Sequence, residues 1–204
     1  MSYCRLLCLV PVGLLLGCSQ QPTRIEAPSW DPDGFADEIL TKLDANSDGS
    51  LALAELETAP GLAFGAKYID TDGNKSLSRE ELIARFQLYV ERRLGLTSKS
   101  IQLMYKGRPV PGAKVKLVPE FFLAELIEPA AGETFADGTV DPVTEGMELP
   151  GMRVGYYKVV VESSPRVKLP AKYASADTTT LGVEVSSIDS DPATYGTIKL
   201  NITD

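Results

Sequence analysis

Residues 70–81 read DTDGNKSLSREE, and residues 44–55 read DANSDGSLALAE. Set in phase, both stretches carry an aspartate at position 1 and Asp or Asn at positions 3 and 5. Both also have serine at 7, leucine at 8 and glutamate at 12. Oxygen-bearing side chains therefore recur at alternate positions, and each stretch ends in a carboxylate that can offer two oxygens. The copies differ at position 6, where Gly49 faces Lys75. A sharp turn there needs a positive φ, which costs a non-glycine residue on the order of 1 kcal/mol.

The first stretch places Asp44, Asn46, Asp48, Ser50 and Glu55 as it resembles the EF-hand calcium loop, and the second places Asp70, Asp72, Asn74, Ser76 and Glu81 likewise. Calcium is a hard cation that takes six to eight oxygens at about 2.3–2.6 Å. The resemblance implies side-chain ligands at positions 1, 3 and 5, a backbone carbonyl at 7 and a bidentate glutamate at 12. It also implies that Leu51 and Leu77, at position 8, join the two loops. Two calcium sites are expected, the second weakened by Lys75. The competing reading is a pair of solvated Asx turns, or a degenerate second loop kept for pairing. The loops start 26 residues apart, so the connecting helices must be short. Met104, Met147 and Met152 all lie outside this region, which argues against a methionine-rich target groove. A compact structural or buffering module is expected rather than a sensor.

The chain begins MSYCRLLCLVPVGLLLGCSQ. Arg5 followed by the apolar run Leu6–Leu16 has the proportions of a signal peptide and is too short to span a bilayer. The closing Leu15-Leu16-Gly17-Cys18 resembles the lipobox of bacterial lipoproteins, which implies removal of residues 1–17 and a lipid on Cys18. Cys4 and Cys8 would leave with the leader, so the mature chain would hold no disulfide. Its formal charge would move from −8 to −9 with the loss of Arg5. An acidic surface disfavours nucleic acid and anionic lipid as partners. Membrane contact would come through Cys18, and Ser19 behind it weakly favours the outer membrane of the cell envelope. Residues 18–31, with two prolines, read as a tether.

Helical spacing follows. Asp31 and Pro32 form a start signal, and Phe35, Ile39, Leu40 and Leu43 recur on one face. Leu53–Glu57 and Leu62–Ile69 read as short helices, with Thr58-Ala59-Pro60-Gly61 as a stop between them, and Glu80–Arg93 as a longer one. Beyond Gly95 the period changes to two. Strands are expected at 100–105, around Ala113–Leu117, and at 156–161, 181–185 and 197–202. Gly107, Pro109, Val110, Gly112, Ala113 and Val115 resemble the opening of a carboxypeptidase regulatory-like (transthyretin-like) domain, and Gly155-Tyr156-Tyr157-Lys158-Val159 resembles a later strand of it. The expected fold class is therefore α+β and multidomain: an all-α EF-hand pair over 32–94, then an all-β transthyretin-like or Ig-like sandwich over 99–204. The run EFFLAELI, 120–127, reads as a core-covering turn, with a partner-binding patch as the sharper alternative.

The chain contains no histidine. That removes the Ser-His-Asp and Cys-His nucleophile arrangements and disfavours a zinc site. Glu128, Glu133, Asp137 and Asp141 read as solvated loop charges, and no enzyme is expected. The functional expectation is calcium binding by a lipid-anchored exported protein whose second domain serves structure or interaction. The alternative is a dockerin-like or adhesion module whose calcium-ordered helices bind a cell-surface protein or polysaccharide.

Overall fold

The structure is a computed structural model that describes residues 25–147, 150–188 and 196–204. Cys18, the leader expected before it and the start of the tether lie outside the described residues.

Helix α1 spans Pro32–Leu43. Its start is the one expected: the Asp31 carboxylate accepts from Gly34 N at 3.1 Å and Pro32 occupies the first turn. Strand β1, Ser50–Ala52, leads into a 3-10 turn at Leu53–Leu56. Helix α2 spans Pro60–Ile69, so Pro60 opens a helix where a stop was expected. A proline at the first helical position loses no hydrogen bond, because that amide has no partner in the helix. Strand β2, Ser76–Ser78, runs directly into helix α3, Arg79–Arg92.

The remaining strands are β3 (Ser100–Tyr105), β4 (Arg108–Pro109), β5 (Lys114–Pro119), β6 (Ala130–Glu133), β7 (Thr139–Val140), β8 (Val143–Thr144), β9 (Gly155–Ser163), β10 (Gly182–Val185) and β11 (Thr197–Ile202). One antiparallel sheet has the order β10-β9-β5-β6-β8. A second has β3 between β11 and β4, with β7 also paired to β3. The β11–β3 pair is parallel, Thr197 opposite Ser100 through Ile202 opposite Tyr105. Lys106 and Gly107, both at positive φ, turn β3 back into β4, as a two-residue hairpin turn requires. Strands β3 and β11 have the bounds expected from their alternation. No helix among the described residues is long and apolar enough to cross a membrane.

The expected fold class is overturned on two counts. The N-terminal part is not all-α, because β1 and β2 form a third, two-stranded sheet. Nor do the helices form a unit apart from the strands. One hydrophobic core runs from Ile39, Leu51, Leu62, Leu77 and Phe86 through Tyr156, Val159 and Val183 to Ile101 and Leu200. Helix α2 lies across β9 and β10. The physical cause is the small-residue face of α2. A Cβ at Gly61 would stand 2.7 Å from Tyr157 N, and one on Gly182 of β10 would stand 2.0 Å from the Pro60 carbonyl carbon. Backbone thus packs on backbone, and all four residues of β10 are buried.

Trp30, inside the expected tether, is buried and stacks on Tyr89 with ring centroids 4.4 Å apart. The EFFLAELI run belongs to the core: Phe122, Leu123 and Ile127 are buried, and Phe121 and Leu126 pack against them.

Candidate metal centre

The two acidic stretches fold as near-copies. Asp44 and Asp70 are the C-cap residues of α1 and α2, with φ/ψ of −71/87 and −65/89. Each cap amide donates to the carbonyl four residues back, at Leu40 and Ala66. Each loop then takes a left-handed residue at positions 4 and 6. These are Ser47 (φ 58) and Gly49 (φ 85) in the first, Gly73 (φ 75) and Lys75 (φ 68) in the second. Each loop therefore spends one glycine on two left-handed positions, and they choose opposite ones. Lys75 adopts the turn that glycine makes in the sister loop, at a cost on the order of 1 kcal/mol. Gly73 relieves the strain that Ser47 bears in the first loop.

The loops meet where the position-8 residues required it. Strands β1 and β2 are antiparallel, with Ser50 opposite Ser78, Leu51 opposite Leu77 and Ala52 opposite Ser76. Both leucines are fully buried, and each such burial contributes about 1.5–3 kcal/mol.

In the first loop, Asp44 accepts from Asp48 N (3.2 Å) and Gly49 N (2.9 Å). Asn46 Oδ1 also accepts from Asp48 N, at 2.9 Å. Asp48 accepts from Ser50 N and Oγ and from Asn46 Nδ2. The Ser50 hydroxyl and the Asn46 amide hold the Asp48 carboxyl below the usual range. Glu55 reaches back to accept from Ala45 N (3.0 Å) and Ala52 N (2.9 Å).

The second loop builds a similar net with some different partners. Asp70 accepts from Gly73 N (2.8 Å) and Lys75 N (3.0 Å), and Asp72 from Asn74 N (3.0 Å) and Nδ2 (2.9 Å). Asn74 Oδ1 accepts from Ser76 N at 2.7 Å. Glu81 accepts from Thr71 N and Ser78 N, as Glu55 does from their equivalents, but also from the hydroxyls of Thr71 (3.1 Å) and Ser78 (2.8 Å). Ala45 and Ala52 hold those places in the first loop and have no hydroxyl to give. Burial pushes the Glu81 carboxyl up, but the Ser78 and Thr71 bonds outweigh it and hold it at about 2. Ser78 in turn caps α3 and accepts from Glu81 N, closing a capping box.

Asp70, Asp72 and Glu81 each bring an oxygen within 4.8 Å of the others. Oxygens on opposite sides of a calcium ion stand about 4.6–5.2 Å apart, twice the bond length. The three carboxylates are thus close enough to one another to share one metal ion, and the donor set is all oxygen. In the first loop position 3 is Asn46, an amide where the second loop has the Asp72 carboxylate. Ser50 and Ser76 sit at position 7 on β1 and β2.

Thr71 was not legible as a functional residue, since position 2 of such a loop is no ligand. The Ser78–Glu81 spacing was the available signal, because S-x-x-E before an apolar run marks a capped helix start. Two buried acids, Glu120 and Glu184, had no local signal at all. Glu120 accepts from Gly61 N at 2.7 Å, capping α2 from 59 residues away where the N-cap residue Ala59 has no side-chain acceptor. Glu184 accepts from Arg85 at the core between α3 and β10.

No family model, curated protein or solved structure matches the chain, so the site's own geometry must carry the functional reading.

Proposed function

We propose that this protein is a calcium-binding, lipid-anchored protein of the cell envelope, attached through Cys18. Calcium at loops 44–55 and 70–81 completes the helical layer and serves a structural role. The observation that carries the reading is the clustering of Asp70, Asp72 and Glu81, each with an oxygen within 4.8 Å of the others. The equivalent backbone of the first loop and the Leu51–Leu77 pairing support a second site. Asp44, Asn46, Asp48, the Ser50 carbonyl and Glu55 hold one ion. Asp70, Asp72, Asn74, the Ser76 carbonyl and Glu81 hold the other.

A structural role is favoured over a sensing one by what the helices cover. Sensors work by parting two helices and exposing a groove. Here α2 is pressed onto β9 and β10, and Phe86 and Tyr89 of α3 pack on Tyr156. The apolar faces already have their partner.

The test is thermal unfolding of the mature chain in calcium and in chelator. An ion bound only by the folded state stabilises it by mass action. Calcium raises the melting temperature, and Glu55→Gln and Glu81→Gln each reduce the gain. A melting curve indifferent to calcium and chelator sinks the proposal.

A further inference from the structure

The calcium reading leaves unused the most deeply buried charged group on the sheet. Glu184 lies in the middle of β10, where the burial of all four residues gives a carboxylate no water. Three donor contacts to it come from one helix. Arg85 Nε and Nη2 reach Glu184 Oε1 at 2.9 and 2.8 Å, and the Tyr89 hydroxyl donates to the same oxygen. The other oxygen, Oε2, lies over α2: a Cβ on Gly65 would stand 2.8 Å from it. One side chain on the sheet therefore touches both helices that flank loop 70–81.

The spacing along α3 makes this consequential. Glu81, Arg85 and Tyr89 are four residues apart, so they line one face of the helix. Glu81 supplies the last ligand of the loop, and the next two residues on its face are tied to the sheet. Asp70, the first ligand, caps the C-terminal end of α2, the helix held against Glu184 through Gly65. The angle between α2 and α3 fixes how far Asp70 stands from Glu81. The first loop has no such brace: its exit is the four-residue 3-10 turn, Leu53–Leu56. The braced loop brings an oxygen each of Asp70, Asp72 and Glu81 together. A side chain held by packing and hydrogen bonds loses less freedom when an ion binds.

We propose that Glu184, through Arg85 and Tyr89, is a positioning residue for the calcium site at 70–81, so that the β-sheet and not the loop alone sets that site's affinity. This rests on the calcium reading of the loops.

The test separates the loops. In a Glu55→Gln background, calorimetric calcium titration reads loop 70–81 alone. In a Glu81→Gln background it reads loop 44–55 alone. Adding Glu184→Gln is expected to weaken the first about tenfold and leave the second within about twofold. Tyr89→Phe removes one hydroxyl and keeps the ring that stacks on Trp30. It is expected to weaken loop 70–81 about threefold, and it carries the test should the Glu184 variant not fold. An unchanged loop 70–81 in a folded variant overturns the inference. So does equal weakening of both loops, which would mark a general loss of structure. Absence of calcium heat in the Glu55→Gln parent takes down the calcium reading and this inference with it. Heat in the parent with no selective effect of the added changes takes down this inference only.

Discussion

Glu120→Gln gives a pH dependence whose size and sign both follow from burial. The Glu120 carboxyl has no exposed surface and accepts from Gly61 N at the start of α2. Burial pushes its pKa from an ordinary 4.5 to about 7; the Gly61 amide and the charges of Lys158 on β9 and Lys42 on α1 pull the other way and recover only part. A carboxyl raised in the folded state binds its proton more tightly there than in the unfolded chain. Its contribution to stability is thus greatest below about 4.5 and is lost as pH rises through about 7. A gap of about 2.5 pKa units corresponds to roughly 3 kcal/mol. Glutamine keeps the acceptor for Gly61 N and cannot ionise. Urea unfolding of the parent and the variant, both in chelator, at pH 4, 6 and 8 isolates this group, because every other titration cancels in the difference. The variant's advantage relative to the parent should grow by about 3 kcal/mol between pH 4 and pH 8. In melting temperature that is about 6–12 °C for a chain of this size. A difference that stays constant across the pH range would refute the reasoning.

Three further outcomes follow from the same geometry. Lys75→Gly relieves a left-handed backbone (φ 68) and removes a positive charge from the acidic loop; titration in the Glu55→Gln background should show about fivefold tighter binding, or about 1 kcal/mol, and unchanged binding would show that the lysine is no burden. Leu77→Ala empties a fully buried position opposite Leu51 and should cost about 2–5 kcal/mol by denaturant unfolding; a double-mutant cycle with Leu51→Ala should show coupling between the two, and strict additivity would deny that they join the loops. Gly182→Ala places a Cβ 2.0 Å from the Pro60 carbonyl carbon, against backbone that cannot swing aside, and should destabilise by about 1–3 kcal/mol or more; a stability equal to the parent's would mean that α2 does not sit on β10.

How much of this could be read from sequence depended on how far apart the interacting residues lie. Asp31 and Pro32 announced α1 because a cap acts within one turn. Leu51 and Leu77 announced their own pairing because two in-phase loops carry leucine at the same position. Alternation in 100–105 and 197–202 gave both strands their bounds, but not that they pair in parallel, since register and direction are set by the rest of the sheet. The separation into an all-α and an all-β part failed for a specific reason. Gly61 read as part of a helix stop, yet the lack of a side chain at Gly61 and Gly65 is what lets α2 touch β10. Gly182, 121 residues after Gly61, completes that contact, and nothing near either glycine foretells it. Glu120 and Glu184 gave no sign of their burial, because their partners are 59 and 99 residues away. The ten loop residues proposed as ligands were named from their resemblance to the EF-hand loop. The extra hold on Glu81 was hidden in the hydroxyls of Thr71 and Ser78, where the sister loop carries alanines.

The measurement that bears most directly on the central claim is isothermal titration of the mature chain with calcium, which reports stoichiometry and affinity together. Two ions per chain, at dissociation constants of about 10⁻⁴–10⁻³ M, each abolished by the glutamine substitution of its own position-12 glutamate, is the result expected. A flat titration, or heat that survives the combined Glu55→Gln and Glu81→Gln substitutions, would contradict it.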